Sequence, residues 1–287
     1  MPDLAYVNGE FLPLAEARVP INDRAYYYAD AVYEVCATLG GRVFLLDAHL
    51  NRLERNLRGV RIACPVDRRR LAALFKEGIR KAGYKETIIY LQISRGAAPR
   101  EKKFPAETAP ILILTFREKP RIAPEKRARG IEVILVPDDR WARCDYKTVM
   151  LLPNVLAHQK ALDDGKDDAI FYDREKMIIH EATGANVFVV RAGRVATPEE
   201  NSKILPGTVR RYLMDLARGN GIAVEERPIG VAELHEADET FFTGTTSEVL
   251  PVVRVDDRAI GDGVPGPMTL RFHRMFLESL GHRGGNP

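Results

Sequence analysis

The chain has 287 residues, which is long enough for two domains that each bury a core. Its 43 basic and 40 acidic residues are interleaved and leave a formal charge of +3, which argues against a nucleic-acid or membrane-surface partner because such proteins carry a clustered basic face. No apolar run approaches the roughly 20 residues of a membrane helix, and the N-terminus MPDLAYVNG lacks the features of a signal peptide, so we expect a cytoplasmic protein.

The first part of the chain is predicted to contain short strands and two helices. Asn8-Gly9 between two short runs predicts a type I′ hairpin. Asp47 and Asp67 each precede apolar residues at helical spacing and are predicted helix N-caps. The apolar positions of the two helices are Leu50, Leu53, Leu57 and Val60, then Leu71, Leu74, Phe75 and Ile79. Residues 87–95 and 110–116 are rich in β-branched side chains and are predicted strands.

A linker is predicted at residues 117–130, which are charged, contain prolines and show no periodicity. It divides the chain into a first domain of residues 1–120 and a second of residues 121–287. The strands predicted in the second domain are 131–137, 168–173, 176–180 and 186–191. We expect helices near 154–164 and after Pro206-Gly207, and a frayed glycine-rich tail, GHRGGNP.

Lys147 is the first candidate for chemistry. It is followed, after Thr148, by the apolar run Val149, Met150, Leu151 and Leu152. A lysine drawn toward a protein interior loses solvation, and its neutral amine can then form a Schiff base. Most lysines are solvated surface residues, so the context by itself does not establish a catalytic role.

The cysteines and histidines do not predict a metal site. Cys36, Cys64 and Cys144 are widely spaced and form no CxxC pair, which fits a reducing compartment. We expect Cys36 and Cys64 to fill the core. HEATG at 180–184 begins like the zinc motif HExxH but lacks the second histidine, and HEADE at 235–239 also lacks it.

Two glycine-containing segments are candidates for binding a phosphate. Gly207, Thr208 and Val209 open a predicted helix, and a helix N-terminus offers N–H groups and a favourable dipole to an anion. Gly244 and Thr245 follow the predicted strand ETFF, where glycine lets backbone N–H groups approach a ligand closely.

Seven segments resemble, in the same order, those of class IV (fold-type IV) pyridoxal-phosphate aminotransferases, most closely the D-amino acid aminotransferases. They are DRAYYYADAVYEV (23–35), HLNRLERNL (49–57), RGAAPREKKFP (95–105), RWARCDYKTVMLLPNVLA (140–157), HEATGANVF (180–188), ILPGTVR (204–210) and TGTTSEVLPV (243–252). The resemblance covers essentially the whole chain.

The resemblance implies a two-domain α/β (α+β) fold with a smaller N-terminal α/β domain and a larger C-terminal β-rich domain. It implies that pyridoxal 5'-phosphate binds at the interface between the domains, and that the protein is an obligate homodimer. Lys147 would hold the cofactor as a Schiff base, and Glu181 would keep the pyridine nitrogen protonated. It implies that Arg52 binds the phosphate and that Leu205 packs against the ring face. The other cofactor-binding residues that it implies are Asn186, Gly207, Thr208, Val209, Gly244 and Thr245.

For the substrate, the resemblance implies a loop that binds the α-carboxylate. Arg100 takes the place of the carboxylate-binding arginine, and Tyr33 would add a hydroxyl donor. Lys102 stands where the family usually has histidine, so side-chain preference and affinity are expected to differ. Ala25, Ala29 and Ala31 stand where the family commonly has glycine, and EATGAN replaces a more serine-rich run.

The resemblance implies ping-pong transamination between a D-amino acid of the D-alanine or D-glutamate type and a 2-oxo acid, with Lys147 as the general base. A branched-chain L-amino acid aminotransferase would use the same lysine, glutamate and phosphate-binding residues and remains an alternative. An aminodeoxychorismate lyase or an (R)-amine transaminase is a more distant one. A cofactor carrier without turnover, and a binding module without cofactor, are the alternatives from other classes.

Overall fold

The computed structural model describes residues 3–283, and within that range the chain divides into two units. The first unit runs to Pro120 and also includes Tyr146–Met150, whereas the second comprises Arg121–Asp145 and the chain from Leu151 onward. The predicted domain boundary between residues 120 and 121 stays a prediction, and these units differ from it by assigning Tyr146–Met150 to the first. The predicted mixture of helices and sheets is confirmed.

The first unit is built on a six-stranded antiparallel sheet with the order β2-β1-β6-β5-β3-β4. Its strands are β1 (Leu4–Val7), β2 (Glu10–Pro13), β3 (Ala31–Leu39), β4 (Arg42–Val43), β5 (Thr87–Ser94) and β6 (Ile111–Glu118). Asn8 and Gly9 join β1 to β2 with φ angles of 43° and 122°, which confirms the predicted two-residue hairpin.

Helices α1 (Arg24–Tyr28), α2 (Leu46–Val60) and α3 (Arg68–Ala82) complete the first unit. The apolar residues of α2 and α3 pack with those of the sheet, since the predicted leucines and Phe75 are buried in one cluster. Asp67 caps α3 as predicted, because its Oδ1 accepts a 2.7 Å hydrogen bond from the Arg70 amide. The predicted cap at Asp47 is wrong: α2 begins at Leu46 after Leu45 in the left-handed conformation, and Asp47 lies in the first turn.

Ala29 ends α1 in the left-handed conformation, with φ 53° and ψ 31°. A β-carbon is unfavourable in that region, which glycine adopts freely. Of the three alanines that stand where the family commonly has glycine, Ala29 is therefore the one in a conformation that favours glycine.

The second unit contains a nine-stranded mixed sheet with the order β12-β11-β10-β13-β14-β7-β8-β9, and β15 pairs with β14. Its strands are β7 (Ile131–Pro137), β8 (Asp168–Asp173), β9 (Ile178–Ala182), β10 (Asn186–Arg191), β11 (Arg194–Thr197), β12 (Val224–Glu226), β13 (Glu239–Gly244), β14 (Glu248–Val255) and β15 (Arg258–Ala259). Its helices are α4 (Pro124–Arg129), α5 (Leu152–Asp163), α6 (Thr208–Gly219), α7 (Val231–His235) and α8 (Pro267–Arg283).

Three sequence predictions differ from the structure. The predicted linker 117–130 is not irregular, since its first two residues belong to β6 and Pro124–Arg129 forms α4. Cys64 is exposed, so the prediction that it fills the core is wrong, whereas Cys36 is buried. Residues 281–283 of the predicted frayed tail continue α8, and residues 284–287 lie outside the described residues. In the described part of the chain, no helix is long and apolar enough to cross a membrane.

Candidate active site

The backbone beside Lys147 pairs with β3 in the first unit. The Tyr33 amide donates a 2.9 Å hydrogen bond to the Lys147 carbonyl, and the Val149 amide donates one of 3.3 Å to the Ala31 carbonyl. These two bonds flank an antiparallel bridge between Val32 and Thr148. The position of Lys147 is therefore set by the strand that carries Tyr33.

The Lys147 side chain is partly buried and lies against Tyr33. Its Nζ donates to Tyr33 Oη at 3.2 Å and is 4.2 Å from the centroid of the ring. Tyr33 in turn stacks on Tyr90, with ring centroids 5.5 Å apart. Burial, with a smaller contribution from Tyr33, raises the pKa of Tyr90 well above its ordinary value. The sequence predicted Tyr33 as a substrate contact, and the structure adds that it binds the candidate catalytic lysine.

Arg52, the predicted phosphate arginine, is buried in α2 and binds Glu34 of β3 with two hydrogen bonds. Arg52 Nε donates to Glu34 Oε1 at 2.7 Å and Nη2 donates to Oε2 at 2.8 Å. His49 Nδ1 lies 2.8 Å from Glu34 Oε2. Burial alone would raise the pKa of Glu34, but the charge and hydrogen bonds of Arg52 outweigh it and lower that pKa to about 2. Arg52 is thus held in one orientation by an ionised carboxylate.

Arg100 and Lys102 are exposed on the loop between β5 and β6. The guanidinium carbon of Arg100 is 5.5 Å from the centroid of the Tyr28 ring, and within the described residues neither side chain hydrogen bonds to Tyr33. The loop is anchored between the two residues by Arg24, whose Nη1 donates to the Glu101 carbonyl at 2.6 Å. Sequence reasoning missed Arg24, because its partner lies 77 residues away.

Glu181 lies on β9 in the second unit and is held by three donors. Arg140 Nη1 donates to its Oε1 at 2.6 Å, and the Leu205 amide donates to its Oε2 at 2.9 Å. Asn186 Nδ2 lies 3.3 Å from Oε2 and donates to the Leu205 carbonyl at 2.9 Å. The structure therefore brings together three residues that the sequence placed around the cofactor: Glu181, Asn186 and Leu205.

Asp138 and Arg140 were not predicted from the sequence. Arg140 Nε and Nη2 each lie 2.9 Å from an Asp138 carboxylate oxygen, and His180 Nδ1 is 2.7 Å from Asp138 Oδ2. Burial opposes ionisation of Asp138, but the hydrogen bonds from His180 and Arg140 outweigh it and hold its pKa well below the ordinary value. Charged residues directly after the buried strand β7 were the signal that could have identified them, because ligand sites favour the carboxyl ends of such strands.

The strand register brings the glycine-containing segments to one end of the sheet. Asn186 of β10 is opposite Thr243 of β13, so their side chains share a face. A Cβ atom at Gly207 would lie 1.9 Å from Asn186 Oδ1, so Gly207 at the start of α6 is packed directly against Asn186. Gly244 directly follows Thr243. Gly207 and Gly244, predicted from separate local patterns, are thus linked through the Asn186–Thr243 pair.

Two buried hydroxyl groups at this end of the sheet lack a hydrogen-bond partner among the described residues. They are Thr243 Oγ1 and Ser247 Oγ. A Cβ atom at Gly244 would lie 2.7 Å from Ser247 Oγ, so a side chain at position 244 would displace that hydroxyl. Buried hydroxyls are normally paired. The hydroxyls of Thr243 and Ser247 and the N-terminus of the 12-residue helix α6 together offer hydrogen-bond donors suited to an anion.

Comparison with known proteins identifies relatives along the whole chain. The model of the amino-transferase class IV family matches residues 31–255. A D-alanine aminotransferase from Bacillus licheniformis is 36% identical over 275 residues, which cover 95% of each chain. A second D-alanine aminotransferase, from Listeria monocytogenes, is 32% identical over 277 residues, or 96% of this chain and 95% of the relative.

Solved structures of branched-chain amino acid aminotransferases are similar to this chain. The enzyme from Escherichia coli superimposes with a TM-score of 0.91 at 26% identity, covering 97% of this chain and 94% of its own. The T.th. enzyme with pyridoxamine 5'-phosphate gives a TM-score of 0.89 at 27% identity, covering 98% of this chain and 94% of its own. The predicted fold class is therefore confirmed.

Proposed function

Because this chain belongs to the amino-transferase class IV family and is an aminotransferase, we propose that it transfers the amino group of a D-amino acid, of the D-alanine or D-glutamate type, to a 2-oxo acid. The observation that carries the chemistry is the contact between Lys147 Nζ and Tyr33 Oη at 3.2 Å. The D-amino acid substrate rests on the 36% identity with a D-alanine aminotransferase over 95% of the chain.

The residues present fit pyridoxal 5'-phosphate. The hydroxyls of Thr243 and Ser247, which have no partner among the described residues, and the N-terminus of α6 at Gly207 suit its phosphate group. The buried carboxylate of Glu181, which Arg140 binds, suits a protonated pyridine nitrogen. The T.th. relative was solved with pyridoxamine 5'-phosphate, which supports the same cofactor class. When bound, this cofactor would act as an electron sink for the substrate's Cα electrons.

Specific residues of this chain would perform the remaining steps. Lys147 would hold the cofactor covalently until the amino group of the substrate displaces it, and its freed amine would then take the Cα proton and deliver it to C4′ of the cofactor. Tyr33 Oη would orient that amine, and Glu181 would hold the proton on the pyridine nitrogen. Leu205 would pack against the ring. Other proposed phosphate contacts are Arg52, Gly207, Thr208, Val209, Gly244 and Thr245.

The α-carboxylate of the substrate would be bound by Arg100 and Lys102 from their exposed loop. A guanidinium suits a carboxylate because two parallel hydrogen bonds can form. Both residues are exposed in this chain, which fits the proposal that the loop acts in an assembly of two copies.

A homodimer is the proposed assembly, in the cytoplasm. Helix α5 buries Ala157 and Ala161. Its residues Leu152, Val155 and Leu156 are exposed to solvent, with exposed fractions of 67%, 59% and 62%. Clustered apolar side chains of this kind commonly mark an interface. We expect the protein to sediment as a dimer and Leu156→Lys to weaken the dimer at least about tenfold, because the ammonium would have to be desolvated. Val264→Lys is the control, because Val264 is also 62% exposed but lies outside α5, and a monomeric wild type would refute the proposal.

A branched-chain L-amino acid aminotransferase is the second candidate. The TM-score of 0.91 with the Escherichia coli enzyme favours it, although that enzyme is only 26% identical. The lysine, the glutamate and the phosphate contacts would be the same in both enzymes. Substrate configuration therefore decides between the two.

The test is transamination between D-alanine and 2-oxoglutarate, followed by pyruvate formation. We expect Lys147→Ala to lower kcat at least about 10³-fold, because general-base and covalent roles are lost together. Lys81→Ala, on the exposed surface of α3, is the control and should keep wild-type turnover. Wild-type turnover by Lys147→Ala would refute the assignment of the lysine, and activity with L-leucine alone would favour the second candidate.

A further inference from the structure

Gly59 lies directly against Tyr146, the residue before Lys147. A Cβ atom at position 59 would be 2.4 Å from Tyr146 Cε1 and 2.5 Å from Cζ. These separations are far below van der Waals contact, so any larger residue would displace the ring. Gly59 is helical, in the last turn of α2, and has no positive φ that would require glycine. Glycine is unfavourable inside a helix, so close packing against Tyr146 is the physical reason for it here.

The segment that carries Lys147 has a second attachment on the other side of the lysine. Val149 and the Lys147 carbonyl are hydrogen bonded to β3, as described above. Tyr146 packs on α2, and the backbone that follows it pairs with β3. The lysine is therefore attached through its preceding residue to a helix and through its own carbonyl to a strand.

We propose that Gly59 and Tyr146 form a positioning pair that sets where the Lys147 amine stands. This inference rests on the proposed function, since it concerns the same lysine. Tyr146 is a positioning residue, because it acts through its neighbour. The close approach to α2 restrains the residue before the lysine, and the two β3 hydrogen bonds restrain the backbone from the lysine onward.

The position of Lys147 has to be accurate because the amine must reach two atoms in turn. It forms the bond to the cofactor and later transfers a proton at the substrate. A displacement of about 1 Å in such a group can lower the rate by about 100-fold, because the reacting atoms leave their productive separation. A methyl group at position 59 would push the ring by more than that distance unless the ring rotates away.

The test compares five proteins: the wild type, Gly59→Ala, Tyr146→Ala, Gly59→Ala/Tyr146→Ala, and the control Gly219→Ala. Gly219 ends α6, and no described atom lies within 4 Å of the point where its Cβ would stand, so this substitution alters helix propensity without a clash. Each apo-protein is titrated with pyridoxal 5'-phosphate, and the visible absorption band is then followed as a function of pH. Circular dichroism establishes that each variant is folded.

For Gly59→Ala we expect the cofactor dissociation constant to rise about tenfold and the pH midpoint of the band to shift, because both depend on where the amine is held. We expect kcat to fall about 10-fold to 100-fold while KM for D-alanine changes little. Gly219→Ala should behave as the wild type. The dissociation constant, the pH midpoint and kcat of the double variant should match those of Tyr146→Ala, because removing the ring removes the clash.

Three outcomes would overturn the inference. A folded Gly59→Ala protein with the wild-type midpoint and dissociation constant would refute it. A double variant that keeps the full defect of Gly59→Ala would also refute it. If Gly59→Ala does not fold, Tyr146→Ala removes one attachment without a clash, and an unchanged midpoint in that variant would refute the inference. A wild type that forms no visible band would refute the proposed function itself, which distinguishes the two failures.

Discussion

Arg140 donates a 2.6 Å hydrogen bond from Nη1 to Oε1 of Glu181, and only 4% and 8% of the two side chains are exposed. Asp138 binds the same guanidinium through Nε and Nη2. A buried carboxylate is stable as an anion only when a charge or several donors accompany it. Arg140 therefore favours the carboxylate form of Glu181, which the role proposed for this residue beside a protonated pyridine nitrogen requires.

Replacing Arg140 with methionine would leave Glu181 and Asp138 buried without their cation. We expect the free energy of unfolding to fall by about 3 to 5 kcal/mol, as for other buried pairs that lose one member. Urea denaturation measures this free energy of unfolding. Arg143→Met is the control: Arg143 binds Asp145 with 46% of its side chain exposed, and such surface pairs contribute less than about 1 kcal/mol. Equal effects of the two substitutions would contradict the role of Arg140.

Tyr33→Phe would keep the ring beside Lys147 and remove only the hydroxyl that accepts from Nζ. A hydrogen bond to a charged group contributes about 1.5 to 3 kcal/mol, so we expect kcat/KM for D-alanine to fall by about tenfold to 100-fold. Steady-state kinetics measures it. Tyr90→Phe is the matched control, since it removes the hydroxyl that donates to Gln92 at 2.7 Å and spares the lysine. An unchanged rate in Tyr33→Phe would show that the hydroxyl does not orient the amine.

Acid should destabilise the protein in part through Glu34. Its pKa is lowered to about 2 in the folded protein from an ordinary 4.5, so its contribution is present above pH ~4.5 and is lost as the pH falls toward 2. That contribution is on the order of 3 kcal/mol.

Glu34→Gln tests this pH dependence. We expect the variant to be less stable than the wild type at pH 6, and the difference in free energy of unfolding to narrow by pH 3. Asp47→Asn, which removes the carboxylate of an exposed pair with Arg68, should leave the wild-type profile unchanged. A difference between wild type and Glu34→Gln that stays constant from pH 6 to pH 3 would contradict the assigned pKa.

Arg24→Met would release the substrate loop without removing Arg100 or Lys102. Asp30, which Arg24 binds through Nε, would keep two hydrogen bonds from Arg95, at 2.8 and 2.9 Å, so the unit should still fold. We expect KM for D-alanine to rise about tenfold with kcat nearly unchanged, because the role proposed for this loop is to bind the substrate and not to supply reacting groups.

Steady-state kinetics with D-alanine measures the effect of Arg24→Met. Lys103→Met is its control, because Lys103 forms an exposed ion pair with Glu101 in the same loop and such pairs contribute little. A fall in kcat at unchanged KM would contradict the assignment of Arg24 to the substrate loop.

Local patterns predicted much of the fold and part of the site. Asp67 capped α3 as expected because an N-cap acts within one turn of its own helix. Gly207 was found because a helix N-terminus has a local signature. The pairing of Arg140 with Glu181 spans 41 residues, and that of Arg24 with Glu101 spans 77, so no periodicity could reveal either. Which residues meet in these two pairs depends on the arrangement of the strands, and that arrangement is set by residues far apart in the chain.

The sequence analysis missed two further features, one with a local cause and one set by tertiary packing. Residues 124–129 were expected to be irregular, yet Pro124 begins α4, because proline at the first helical position is preorganised for a helix. No local pattern in the sequence indicates that position 59 needs glycine. The requirement comes from the ring of Tyr146, which lies 87 positions away in the chain.

The most direct test of the central claim is the visible spectrum of the purified protein with pyridoxal 5'-phosphate, followed while amino acids are added. The account predicts that D-alanine and D-glutamate abolish the cofactor band associated with Lys147, and that L-leucine and L-valine leave it unchanged. Loss of the band with only the L-amino acids, or with none of the four, would contradict the proposed D-amino acid transamination.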